Sequence, residues 1–152
     1  MNIRRAKESD IADLVSLENK CFNTYYKEHR FEKKQFIGYL QKKHTIFLVA
    51  IINSSLVGYV AGTIRTLKNQ SSACLDSIAV LHTSRGRGIG GRLMDRFIRK
   101  ARRRACKKIM LDVASVNKNG IRFFSRLGFR KTRLLTAHYG AGKDGIRMKL
   151  DI

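Results

Sequence analysis

The sequence predicts an α/β protein: a mixed, mostly antiparallel central sheet flanked by helices, in the order β-α-α-β-β-β-α-β-α-β-β. Three observations predict it. β-branched runs bounded by polar turns recur along the chain and read as strands. Apolar residues at helical spacing mark the segments between several of them. A single strand–helix–strand segment, the one with a glycine-rich junction, reads as a parallel crossover, so the other neighbours pair antiparallel.

Asn2 to Arg5 is a short first strand, and Ser9 or Asp10 stands ready to cap the helix after it. Ile11, Leu14, Val15 and Leu17, then Glu18 to Phe22, keep a helical period ending near Asn23. Tyr25 to Arg30 is a polar, aromatic-rich loop. Phe36, Ile37 and Leu40 place a second helix over Glu32 to Lys42. Thr45 to Ile52 and Leu56 to Arg65 form a hairpin across Asn53-Ser54-Ser55. Lys68 to Ser72 is a turn into the strand Ala73 to Val80. A glycine-rich run then opens a helix over Ile89 to Ala105, followed by the strand Lys107 to Ala114. Asn117 to Leu127 is a helix closed by Gly128. Arg130 to His138 and Ile146 to Leu150 make the final strand pair.

The 152 residues suit one domain, 1–152, with 43% hydrophobic and 28% charged residues and no repeat or linker. No apolar run approaches the ~20 residues of a membrane span. No secretory signal is legible after Met1, so a cytoplasmic setting is expected. Cys21, Cys74 and Cys106 lack disulfide or zinc spacing and read as small core residues. His29, His44, His82 and His138 show no metal-ligand spacing, so no metal is expected. The net charge of +21 favours anionic partners such as nucleotide phosphates, nucleic acid, ribosomes or acidic peptides.

Ser84-Arg85-Gly86-Arg87-Gly88-Ile89-Gly90-Gly91-Arg92 lies between a strand and a helix. Its glycines allow a sharp bend and close approach to a ligand. Free N–H groups and the helix dipole favour an anion there, and the arginines add charge-assisted bonds to phosphate oxygens. No Gly-x-x-x-x-Gly-Lys-Ser/Thr phosphate loop is present, and although Gly86, Gly88 and Gly91 fall at Gly-x-Gly-x-x-Gly spacing, no early strand plus acidic residue completes a dinucleotide-binding unit around them.

Arg85-x-x-Gly88-x-Gly90 resembles the Arg/Gln-x-x-Gly-x-Gly/Ala signature of the GNAT N-acetyltransferase superfamily. Asn117, Phe124 and Leu127-Gly128-Phe129 resemble its second motif, and the element order is similar over essentially the whole chain. Leu111-Asp112-Val113 and the segment Tyr139 to Met148 are most similar to the Rim-type enzymes, which acetylate ribosomal-protein N-termini. His82 stands where many members have proline. The resemblance implies acetyl-CoA as co-substrate. Its pyrophosphate would lie on Arg85, Gly86, Arg87, Gly88, Ile89, Gly90, Gly91 and Arg92. Its pantetheine would run along Ile78, Ala79 and Val80, with Asn117 holding the arm and Phe124 near the thioester. It implies direct attack of a primary amine on the thioester.

An α-amine, with pKa roughly 7.7–8, loses its proton more readily than a lysine at about 10.4. The Rim-type pattern pairs a glutamate base with a tyrosine acid, where this chain has Asp112 and Phe124. Asp112 is therefore the candidate base, acting through water, or else the solvent face of a strand. Phe124 cannot donate a proton. Tyr139 is the candidate acid and acceptor contact by resemblance, or an ordinary strand aromatic. Tyr25 and Tyr26 fall where the family builds its acceptor groove, or are surface loop aromatics.

Arg92, Arg96, Arg99 and Arg103 share one helix face, widened by Lys100, Arg102 and Arg104. That face is either solvated or a contact for RNA or a ribosome. The reading is an N-acetyltransferase acting on a protein N-terminal α-amine. A small-molecule amine acetyltransferase and a non-catalytic RNA- or ribosome-binding module are the alternatives.

Overall fold

The computed structural model describes residues 1–22 and 24–152, with the side chains of Thr24, Tyr25 and Lys27 outside that description. Its strands are β1 (Asn2–Arg5), β2 (Thr45–Ile52), β3 (Ser55–Leu67), β4 (Gln70–Val80), β5 (Cys106–Ala114), β6 (Arg130–Leu135) and β7 (Gly145–Asp151). Its helices are α1 (Ile11–Cys21), α2 (Lys33–Gln41), α3 (Ile89–Arg103) and α4 (Lys118–Arg126). The strands form one sheet in the order β1-β2-β3-β4-β5-β7-β6. Each neighbouring pair is antiparallel except β4–β5, which are joined through α3 and run parallel. The expected fold class is the observed one.

Strand periodicity sorts side chains onto two faces. In β2, Ile46, Leu48 and Ala50 pack toward α3, among Leu93, Met94, Phe97 and Ala101. Phe47 and Val49 pack toward α1 and α2, among Leu14, Leu17 and Phe36. β2 is buried on both faces, which explains its unbroken apolar run TIFLVAII. In α3 the buried residues Ile89, Leu93, Met94, Phe97 and Ala101 form one stripe at helical spacing, with Ile98 at its edge and a mostly basic opposite face.

Several boundaries differ from expectation, each for a local reason. α3 stops at Arg103 because Ala105 adopts φ +57, a left-handed residue that ends the helix. Residues 24–29, expected as loop, form a 3-10 helix. Asp10 precedes α1 without capping it. Its carboxylate instead takes two bonds from Arg4, at 2.7 and 2.8 Å, and the Lys7 N–H. β6 ends at Leu135, so Tyr139 lies in a turn rather than in a strand. Both hairpin turns are two residues long, Asn53-Ser54 and Lys68-Asn69, with φ of 47 and 63, then 48 and 63. Positive φ at both central residues matches the strand twist.

Candidate active site

β4 and β5 pair only as far as Leu75 opposite Leu111. Beyond that point β4 stays bonded to β3 up to Val80, whereas β5 stays bonded to β7 up to Ala114. The two strands therefore separate, and a cleft of about 410 Å³ opens between Asp76–Ile78 on one wall and Leu111–Val113 on the other. An extra residue, Asp76, sits in β4 between Leu75 opposite Gly62 and Ser77 opposite Ala61. Such a bulge bends the strand and re-aims its groups. Gly62 has no alternative: a Cβ there would strike the Cys74 carbonyl and come within 2.6 Å of the Phe97 ring.

At one end of the cleft, Ile78 lines the wall and Val80 packs toward α3, while Ala79 is buried on the α1 face. Only backbone groups of Ala79 can therefore face a ligand. Arg85 folds back so that Nε donates to Val80 O at 3.0 Å. Gly86 and Gly88 have φ +75 and +74, and Gly88 is the residue from which α3 begins. Arg92 is the amide that bonds back to Gly88 O, at 3.1 Å, so the preceding N–H groups lie in the unbonded first turn. A Cβ built on Gly86, Gly88 or Gly91 meets nothing within 4 Å, so this is an open cradle of backbone. Gly90 is different: its Cβ would touch Phe123 at 3.3 Å, so this glycine permits packing as well. Ile89 is buried and can offer only its amide. Arg87 and Arg92 are exposed, and among the described residues neither has a carboxylate partner. The cradle fits a pyrophosphate.

At the other end, Asp112 is held in a fork by Arg147, with Nε to Oδ1 at 2.8 Å and Nη2 to Oδ2 at 3.1 Å. His138 Nε2 lies 3.2 Å from Asp112 Oδ2. The Tyr139 ring meets His138, His29 and Tyr26 edge-on, at 4.8, 5.3 and 5.4 Å between centroids. Asp112, Tyr139, Tyr26, Asn117 and Phe124 all line the same cleft, whereas the Tyr25 side chain lies outside the described residues. Asn117 proves to be the N-cap of α4. Its Oδ1 accepts from Gly120 N at 2.9 Å, leaving Nδ2, which reaches the Tyr26 hydroxyl at 3.5 Å. Phe124 is a buried wall, packed edge-on against Phe129.

The sequence reading singled out none of Glu18, Tyr59, Ser77, His29, His138 and Arg147 for this site. Glu18 lines the cleft floor at 2% exposure, its carboxylate accepting from Phe31 N at 2.9 Å and from the Tyr59 hydroxyl. Tyr59 in turn bonds Ser77 at 2.7 Å. Burial pushes the Glu18 carboxyl above the usual carboxylate range, with the Tyr59 hydrogen bond opposing. Glu18 falls seven residues after Ile11 and four after Leu14, on the buried stripe of α1, a legible sign of an inward-facing charge. Arg147 and His138 gave no such sign, because Arg147 reaches Asp112 only through the β5–β7 register and His138 reaches it from the turn before β7.

The family model described as "Acetyltransferase (GNAT) family" matches residues 11–129. An uncharacterized N-acetyltransferase of Methanocaldococcus jannaschii is 30% identical over 149 residues, 97% of this chain and 90% of that protein. A second from the same organism is 29% identical over 88% of this chain, which spans only 62% of that relative. An N-alpha-acetyltransferase of Saccharolobus solfataricus is 26% identical over 96% of this chain and 90% of its own length. In fold, the chain is similar to the ribosomal-protein-S18-alanine N-acetyltransferase of Escherichia coli. The TM-score is 0.81 at 19% identity, covering 99% of this chain and 93% of the other.

Proposed function

The chain belongs to the GNAT acetyltransferase family and is an acetyl-CoA-dependent acyltransferase, and on that premise we propose that its acceptor is the α-amine of a protein N-terminus. The aromatic wall of Tyr139, Tyr26 and His29 at the acceptor end of the cleft carries this reading. Flat rings set edge to face give an extended backbone broad surfaces to lie against, with a polar tip for its first carbonyl. A relative of similar length bears the name N-alpha-acetyltransferase. A polycationic small amine would be repelled by a net charge of +21.

Acetyl-CoA, when bound, supplies a thioester carbonyl for the amine to attack. The amides of Gly86 to Gly91, with Arg87 and Arg92, hold its pyrophosphate. The β4 edge at Ile78 to Val80 offers backbone groups to the arm, and Asn117 Nδ2 and the Phe124 face bound the path. Tyr139 positions the acceptor and donates a proton to the leaving sulfur, a role Phe124 cannot fill. Tyr139→Phe lowers kcat if the hydroxyl is that donor; an unchanged kcat assigns the proton to water. Turnover of acetyl-CoA on peptides with free N-termini, beside N-terminally blocked peptides bearing a lysine, tests the acceptor. Free N-termini react in this reading. Equal rates on the blocked peptides overturn it.

The proposal extends to RNA as a docking partner in a cytoplasmic setting. Arg5, Lys100, Arg103 and Arg104 line a second groove of about 260 Å³ at the far end of α3. It is a concave basic surface separate from the cradle, suited to a phosphate backbone. No helix among the described residues is long and apolar enough to cross a membrane.

A further inference from the structure

We propose that His138 takes the proton from the acceptor ammonium, with Asp112 and Arg147 as its positioning residues. The inference rests on the reading of the cleft as an amine acceptor site, whichever primary amine enters it.

Three contacts fix the imidazole. Its Nε2 faces Asp112 Oδ2 at 3.2 Å. Its ring stands edge-on to Tyr139, with centroids 4.8 Å apart. Its carbons lie over Gly145, where an added Cβ would come within 3.2 Å of His138 Cβ and Cδ2. Gly145 begins β7, between Ala114 of β5 and Leu135 of β6, so the seat of the ring is a fixed point of the sheet. Asp112 is fixed in its turn, because the Arg147 fork sets the plane of the carboxylate.

The nearest acceptor to Nε2 is Asp112 Oδ2, so the proposal puts the hydrogen on Nε2 and leaves the lone pair on Nδ1. Among the described residues, none hydrogen-bonds Nδ1. A ring nitrogen left basic while a carboxylate orients the other is the arrangement that general-base catalysis requires. The cleft's other carboxylates are Glu18, 2% exposed with its oxygens engaged by Phe31 N and Tyr59, and Asp76, whose Oδ2 accepts from the Tyr39 and Thr63 hydroxyls at 2.6 Å each. Asp112 already accepts from Arg147 on each oxygen and faces His138 as well.

In the step, one N–H bond of the ammonium breaks and its electron pair stays on nitrogen. The proton binds Nδ1, giving an imidazolium whose Nε2–H still faces Asp112, and later passes to water. The charged and titratable groups around the ring are Asp112 on β5 and Arg147 on β7. Asp144 holds the Ala137 N–H of the same turn, and His29 lies beyond Tyr139. Arg65 and Asp76 line the same cleft, with Asp76 held by the Tyr39 and Thr63 hydroxyls.

Imidazole 15N spectra of the full chain without acetyl-CoA, in alkaline solution, read the tautomer directly. The expected result is an Nε2–H ring at His138 that becomes a mixture in Asp112→Asn. A ring dominated by Nδ1–H, or one unchanged in Asp112→Asn, overturns the proposal. His138→Ala should lose roughly 100-fold in kcat, with acetyl-CoA affinity by calorimetry near that of the parent, and added imidazole should restore part of the rate. Parental kcat in His138→Ala, or no response to imidazole, overturns it. His138→Asn, of similar polarity and smaller ring demand, provides a folded second variant with the same expected loss. If the parent protein is inert on peptides but acetylates a small amine, the N-terminal reading fails while every arm of this test still runs on that amine.

Discussion

At 2% exposure the carboxyl of Glu18 is held by Phe31 N and the Tyr59 hydroxyl, and burial raises its pKa above the usual value near 4.3. The folded protein therefore keeps a proton on Glu18 that the unfolded chain has released. Its contribution to stability is complete below the unfolded value and is lost as pH rises through the folded one. Subtracting the melting curve of Glu18→Gln from that of the parent across this range should leave a falling difference; a flat one contradicts the assignment. The variant also gives up an acceptor oxygen, an expected cost of about 1–3 kcal/mol. Gly91 makes the opposite kind of prediction, since nothing lies within 4 Å of its Cβ position. Gly91→Val should weaken acetyl-CoA binding about tenfold or more by calorimetry while leaving Tm unchanged or higher, because glycine is the poorer helix former.

Element by element, the chain was legible wherever burial is periodic. The two-faced alternation of β2 and the apolar stripe of α3 follow from residue type, and so do the order of elements along the chain and the glycine-rich turn before α3. Legibility failed where conformation is imposed on residues that do not announce it. Lys68 and Ser54 take positive φ without being glycine, so both hairpin turns looked longer than they are. Ala105 hides the end of α3 for the same reason. Ala105→Gly should stabilise the protein by about 0.5–1 kcal/mol in denaturant melts, left-handed strain relieved outweighing added chain entropy. Asn117→Ala should cost about 1 kcal/mol through loss of the α4 cap, in addition to the Tyr26 contact. In the candidate site, Asp112 was visible as a carboxylate between apolar neighbours. Its fork to Arg147 arises from strand register, Asp112 opposite Arg147, which a linear pattern of charges does not encode.

On the scale of the whole molecule, the charge of +21 is distributed so that α3 is basic at both ends, with Arg92 by the cradle and Lys100 to Arg104 by the second groove. Binding to single-stranded RNA should weaken linearly on a log–log plot against salt, by about 0.7 per phosphate contact. Charge reversal at Lys100 and Arg103 should flatten that slope without touching acetyl-CoA turnover; an unaltered slope removes the groove from consideration. The parting of β4 from β5 has a mechanical meaning too. The meander β2–β3–β4 and the group β5–β7–β6 meet along a short parallel seam that α3 must close by a long crossover. Such long-range pairing is slow, so seam amides should gain protection last in pulse-labelled refolding. A ligand bridging both edges then acts as a splint. Acetyl-CoA at a hundredfold excess over its Kd should raise global stability by about 2.7 kcal/mol, and native-state hydrogen exchange should show that gain along the seam.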